Sequence, residues 1–191
     1  KQKQKQKQEQ KQEHQKNTID GFAAARLLHL SKHRIRVRVD SPSKPSVWCA
    51  ATPLFVSTNS IDMALLRLED NFPRDSVRVV RPCERVVRSG MRAYAVGYGP
   101  FGNSSSGALP ALVSSGVVSK VLRRAADQLP LFVQSCTTVH RGTSGGPLLD
   151  EDGTMIGLVT INARGSDHKP ILTMNFSLSS ALLRPAFEFA H

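Results

Sequence analysis

Residues 34–39, Arg-Ile-Arg-Val-Arg-Val, alternate strictly between basic and apolar side chains. A period of two marks a half-buried strand, sending Ile35, Val37 and Val39 to a core and Arg34, Arg36 and Arg38 to water. Apolar segments of strand length recur down the chain. Residues 47–56 read as two short strands or one bent strand interrupted at Pro53, which cannot donate to a ladder. Residues 60–68, Ser-Ile-Asp-Met-Ala-Leu-Leu-Arg-Leu, are an apolar strand with Asp62 near its head. Further strands are expected at 91–97, 113–121, 131–139, 155–162 and 172–178. A charged hairpin tip is expected at 123–129, and Glu151-Asp152-Gly153 is a hairpin turn. Residues 71–89 read as a linker. Two stretches rich in Ala and Leu, 19–31 and 179–190, favour helix instead.

The first 18 residues carry no apolar side chain at all. A Lys-Gln repeat has nothing to bury and is predicted to be a disordered tail. With 40% apolar residues, the remainder of the 191-residue chain is long enough for a medium domain with a real core. No apolar run reaches the roughly 18 residues of a membrane span, so no membrane partner is expected. The chain opens without an initiator methionine or a signal-peptide pattern and reads as a fragment. Net charge is +11, of which the tail supplies +4 through six lysines and two glutamates. Such a balance attracts polyanions. Nucleic-acid binders, however, interleave aromatics with their basic residues; aromatics here are 6% and sit mostly in apolar contexts, so nucleic acid is not the expected partner. Cys49, Cys83 and Cys136 cannot all pair, which suits a reducing compartment. The cysteines and histidines show no ligand spacing, so no metal and no other cofactor is expected.

Chemistry concentrates in residues 139–149, Val-His-Arg-Gly-Thr-Ser-Gly-Gly-Pro-Leu-Leu. Ser144 sits in a glycine-rich turn just ahead of an apolar strand. A serine hydroxyl is a weak nucleophile and needs a base beside it and donors for the oxyanion it creates. Gly142 lacks a Cβ, so its backbone can turn sharply and aim its N–H at a substrate oxygen. The N–H groups of Gly142 and Ser144 would form an oxyanion hole, and Gly145 and Gly146 would leave room for a substrate chain. The bland alternative is a glycine turn between strands. The glycines at 97, 99 and 102 do not make a phosphate loop, because no Lys-Ser/Thr follows and no helix opens.

Gly142-Thr143-Ser144-Gly145-Gly146-Pro147 resembles the signature of the trypsin-like serine proteases. Residues 96–102, 134–140, 156–164 and 174–178 are similar to the peroxisomal leader-peptide-processing members of that group, and the likeness runs from about His29 to Pro185. The resemblance implies an all-β, chymotrypsin/trypsin-like double β-barrel with a C-terminal helix: a partial N-terminal barrel over 19–80 and a C-terminal barrel over 90–191. The strands that precede the catalytic histidine in that family are displaced here by the Lys-Gln tract. The first barrel is therefore expected to be incomplete, to be supplemented by a homo-oligomer or a complementing N-terminal segment.

By the same resemblance His29 is the general base, preferred over His33, Asp62 orients it, and Ser144 attacks; the order His, Asp, Ser matches the chymotrypsin type. The residues alone leave His29 open as a surface helix histidine and Asp62 as a helix N-cap. Thr138, six residues before Ser144, stands where trypsin carries its charged pocket base, so the pocket should take a small or weakly polar side chain. Thr160, Ile161 and Asn162 would line it and pair with the substrate as an added strand. Asn175 and Phe176 would form the opposite wall, and His140 is expected to be structural. The function implied is a serine endopeptidase that cleaves targeting leaders from peroxisomal matrix proteins, and itself, through an acyl-enzyme. Its substrates are proteins or peptides and its location the peroxisome, although the chain ends in Phe-Ala-His rather than Ser-Lys-Leu. A catalytically inactive, protease-like binding module is the rival, motivated by the missing strands; a nucleic-acid binder is a second.

Overall fold

The computed structural model describes residues 34–40, 45–57, 63–69, 77–99, 111–140, 142–164 and 170–189. The Lys-Gln tail and the helix expected at 19–31 lie outside these residues. The chain divides into two compact units, residues 1–76 and 77–191.

In the first unit, β1 (Ile35–Val39), β2 (Val47–Val56) and β3 (Ala64–Leu68) form an antiparallel sheet in that order. Val37 lies opposite Cys49 and Ile35 opposite Ala51, so these residues share one face. Cys49, Ala51 and Val39 on that face are buried, while Arg34, Arg36 and Trp48 on the other are exposed. The two-residue period of the sequence is thus kept. Residues 47–56 form one strand, and its register slips between Pro53 and Phe55, as a residue without an N–H requires.

In the second unit, six strands close into a barrel: β4 (Arg92–Gly97), β5 (Leu112–Arg123), β6 (Pro130–Ser135), β7 (Pro147–Leu149), β8 (Met155–Arg164) and β9 (Pro170–Ser179), in the order β4-β5-β6-β9-β8-β7. A helix, α1 (Ser180–Phe189), packs against β6, β8 and β9 and contains Pro185. The fold is all-β with a single C-terminal helix among the described residues, as expected. The barrel core gathers Ala93, Ala95, Val118, Val133, Leu148, Ile156 and Val159.

β9 carries a reversal. Its run Met174-Asn175-Phe176-Ser177-Leu178-Ser179 invites an apolar-inward reading, yet Ser177 lies opposite Val133 and Asn175 opposite Ser135, so the polar residues point to the barrel interior. Asn175, Ser177 and Ser179 are each 1% exposed. Leu178 is also buried, on the face that holds Phe132 and Phe176, whose rings meet edge to face at 6.4 Å. Burial of both faces removes the contrast on which alternation depends.

β6 ends at Ser135, short of the expected 139. Beyond it, side chains replace ladder partners. The N–H of Val117 donates to Cys136 Sγ at 3.3 Å, and the N–H of Thr138 to Ser114 Oγ at 2.7 Å.

Residues 77–87 form a strap outside the regular strands, whose later part joins the β7–β8 hairpin. Met155 N–H donates to Arg81 O and Cys83 N–H to Met155 O, both at 2.8 Å, through a parallel bridge at Pro82. The hairpin turn is built on Asp150, 2% exposed. Its carboxylate accepts the N–H groups of Asp152 (3.1 Å) and Thr154 (2.9 Å), the Thr154 hydroxyl (2.7 Å) and the Arg85 guanidinium (2.7 Å). Burial opposes its charge, but the Thr154 hydroxyl, Arg85 and the two N–H groups outweigh it and hold the carboxyl below the usual range. Arg85 is half-exposed, so screening weakens its share, and the turn's own donors supply most of the stabilisation.

Asp150→Ala should therefore lower the stability of the second unit by about 2–4 kcal/mol, the cost of orphaning buried donors, read from urea unfolding. The sign with pH follows from a depressed carboxylate. The contribution is complete above the unfolded value of about 3.9 and is lost as pH falls through the lower folded value. The variant should therefore show a shallower loss of stability on acidification than the parent.

Candidate active site

The loop that carries Ser144 leaves β6 at Ser135 and enters β7 at Pro147. Arg141 within it lies outside the described residues. Its first half is held from inside the barrel. Thr137, fully buried, shares a hydrogen bond with Ser135 between hydroxyls (2.9 Å), and its carbonyl accepts the amide N–H of Asn175. Buried polar groups that satisfy one another fix a unique conformation.

The second half is spliced into β8. Gly145 N–H donates to Val159 O at 2.8 Å, and Val159 N–H to Gly146 O at 2.9 Å. Thr143 closes the tight turn: its N–H reaches His140 O at 3.1 Å, its carbonyl accepts Gly146 N–H at 2.9 Å, and its hydroxyl accepts His140 N–H at 3.2 Å. His140, exposed, serves the loop through its backbone.

Ser144 is exposed at the crest of this turn, and its Oγ–H donates to Thr160 O at 3.1 Å. Thr160 stands at a β-bulge: Val159 faces Ser177 and Ile161 faces Phe176, with Thr160 the extra residue between them. Its own hydroxyl donates to Phe176 O at 3.1 Å. The bulge aims a carbonyl at the serine that a regular ladder would have used up.

Gly142 has φ +95°, a conformation that side chains rarely adopt, and a Cβ there would meet Tyr98 O at 2.5 Å. Among the described residues, neither Gly142 N–H nor Ser144 N–H has an acceptor. Two such donors beside an exposed hydroxyl suit an anionic oxygen. Gly145 and Gly146, read as clearance for a substrate, part company. A Cβ on Gly146 would lie 2.0 Å from Val96 O, so its missing side chain lets the loop press onto β4. Gly145 has free space around it and is glycine for its φ of +85°.

The other predicted site residues are placed as follows. Thr138 is exposed, its N–H held by Ser114. Phe176 is half-buried against Phe132. Asn175 is buried and holds the Thr137 carbonyl. Ile161 and Asn162 continue β8 beyond the bulge, opposite Phe176 and Asn175. His29, His33 and Asp62 lie outside the described residues. Sequence reading missed Asn175 and Thr137 as supports of the loop, Gly146 as its contact with β4, and Asp150 as the anchor of the hairpin. A polar residue at every second position of β9 was the available signal. Among the described residues no cluster of His, Cys, Asp or Glu could hold a metal ion.

The profile of the trypsin-like peptidase domain matches residues 18–158. The chain is 30% identical over 157 residues to the human (Homo sapiens) peroxisomal leader peptide-processing protease, covering 81% of this chain and 26% of that protein. It is 31% identical over 168 residues to the mitochondrial serine protease HTRA2 of Bos taurus, covering 85% and 32% respectively. The chain thus spans roughly a quarter to a third of these relatives. Among solved structures, a serine endoprotease from Yersinia pestis superposes with a TM-score of 0.57 at 20% identity, covering 81% of this chain and 48% of that one.

Gly146→Ala should displace the Ser144 loop from β4 and lower stability by about 1–3 kcal/mol, the usual cost of overpacking. Differential scanning fluorimetry reads the shift. Gly153→Ala, with free space but a φ of +74° in the hairpin turn, should cost only the backbone strain of about 1–2 kcal/mol.

Proposed function

The chain belongs to the trypsin-like peptidase family, and on that premise we propose that it is a serine endopeptidase acting through an acyl-enzyme. The observation that carries this reading is the exposed Ser144 hydroxyl, held 3.1 Å from the bulge carbonyl of Thr160 in the turn where Gly142 takes a positive φ. In the proposed mechanism Ser144 Oγ attacks the scissile carbonyl while His29 takes its proton and later returns it to the leaving amine. Asp62 fixes the tautomer of His29 and stabilises the imidazolium. The N–H groups of Gly142 and Ser144 receive the oxyanion, each donor contributing about 3–4 kcal/mol to lowering the barrier. The segment over 19–80, as a partial barrel, supplies imidazole and carboxylate, and the segment over 90–191 supplies the nucleophile.

For the serine to attack, its hydroxyl must exchange Thr160 O for the imidazole. Thr160 O is then released to accept an N–H from a substrate laid along β8. Thr138, Thr160, Ile161, Asn162 and Phe176 surround the side chain that precedes the cleaved bond, and Asn175 holds the floor of that pocket in place. With no carboxylate among them, a small or weakly polar side chain fits best. Likeness to the human peroxisomal protease supports targeting leaders of peroxisomal proteins as substrates, self-cleavage, and residence in that organelle. Completion of the first barrel by a second copy or by a complementing N-terminal segment belongs to the same reading.

A fluorophosphonate probe tests the core of it. Labelling should map to Ser144, vanish in Ser144→Ala, and slow by about three orders of magnitude or more in His29→Ala. No labelling at any pH between 5 and 10, with the protein folded, would leave a protease-like binding module in its place.

A further inference from the structure

The peptide group that joins Thr137 to Thr138 is held at both ends by side chains from two different strands. Its carbonyl, that of Thr137, accepts the amide N–H of Asn175 on β9. Its N–H, that of Thr138, donates to Ser114 Oγ on β5 at 2.7 Å. A peptide unit is planar, so gripping both ends fixes the plane, and with it the direction in which the Thr138 side chain leaves the backbone. The sequence of β5 suits this contact. Ser114 and Gly116 lie opposite Ala95 and Ala93, which are buried, so both belong to the inward face of the barrel. Small residues there leave room for residues 136–138 to cross. A Cβ on Gly116 would meet Thr137 N at 2.8 Å and the Cys136 carbonyl carbon at 3.0 Å. Cys136 N–H donates to Val117 O at 3.1 Å, and the next residues are reached from β5 by the Ser114 hydroxyl. Ser115 faces the other way, opposite Tyr94, and is exposed.

We propose that Ser114 is a specificity-determining positioning residue: by fixing the Thr137–Thr138 peptide it holds Thr138 as a rigid floor that admits a small side chain and turns away a bulky one. This rests on the proposed function, in which Thr138 lies at the base of the pocket for the side chain preceding the cleaved bond. Ser114 itself touches no substrate and acts through the Thr138 backbone. With alanine at 114 the Thr138 N–H loses its acceptor while Asn175 still grips the carbonyl. The peptide can then tilt about its one remaining anchor, and the floor yields to a larger side chain. Thr138 is exposed, so the freed N–H is taken up by water and the change costs the fold little. What is lost is the fixed direction of the floor, which a pocket needs in order to discriminate.

The test compares covalent probes of Ser144 on the full chain. One is a plain fluorophosphonate, which has no side chain to seat. The others are a pair of peptidyl diphenyl phosphonates that differ only in carrying a methyl or a benzyl group at the reacting residue. Labelling rates are followed by intact mass. The parent should prefer the methyl probe. Ser114→Ala should keep the parental rate with the plain fluorophosphonate and lower the methyl-over-benzyl preference about three- to tenfold, the range that one hydrogen bond commands. Ser114→Thr, which retains the hydroxyl, should restore the parental preference, and Ser115→Ala should leave it unchanged. A parent indifferent to the side chain, an unchanged preference in Ser114→Ala, or a Ser114→Thr variant that behaves as Ser114→Ala does, overturns the inference and leaves the endopeptidase reading intact. So does a Ser114→Ala protein that loses the plain fluorophosphonate rate as well, because Ser114 would then support the whole loop and not the pocket. A folded parent that does not react with the plain fluorophosphonate removes the endopeptidase reading, and this inference with it.

Discussion

The reciprocal bonds between Gly145–Gly146 and Val159 splice the Ser144 loop into the barrel wall, one at 2.8 Å and one at 2.9 Å. A loop on free solvent would sample many conformers, each fixed backbone residue costing about 1–2 kcal/mol of entropy. Here that cost is met by the barrel, because the loop completes hydrogen bonds that β8 would otherwise lack. The same splice explains why bulk cannot be tolerated at Gly146: Val96 O of β4 occupies the place a Cβ would need. Position of the serine is thereby a property of two strands and not of the loop itself.

The barrel accepts an unusual interior to achieve this. Ser135, Thr137, Asn175 and Ser177, all 1% exposed or less, stand where larger apolar residues would give more hydrophobic stabilisation. The Ser135–Thr137 pair and the Asn175–Thr137 bond give that interior directional partners. A greasy core would hold Thr137 and Val139 less definitely, since apolar contacts are tolerant of small shifts. Specific geometry under the Ser144 turn is favoured over bulk stability, a trade that suits the preorganisation the proposed function requires.

Much of this was legible from residues alone. Strict alternation located β1, Pro53 announced the slip in β2, and the glycine-rich string around Ser144 located the turn. What escaped has physical reasons. Alternation fails on β9 because both faces are covered, so Asn175 was read as pocket wall and its place inside the barrel, under the loop, went unread. The early end of β6 depends on Cys136 and Ser114 acting as backbone substitutes, a tertiary effect that no local pattern records. Asp150 looked like one more turn residue, because its five donors, Cys83 Sγ among them, converge only after folding. Gly142 was read correctly as a sharp turn, while Gly146 was misread, since its close contact comes from a strand about fifty positions earlier in sequence. The assignment of His29 and Asp62 as partners of Ser144 is a proposal that rests on the resemblance.

The strap of residues 77–87 carries a consequence for how such proteins can be recombined. It belongs to the second unit by its backbone bonds to Met155 and by the Arg85–Asp150 contact. A module boundary drawn where regular strands begin, at β4, would cut through that association. It would strip a cation from a buried anion and two backbone partners from the start of β8. The natural seam for transplanting this barrel into another scaffold therefore falls before Val77, and the segment that resembles mere connector travels with the barrel as its hem.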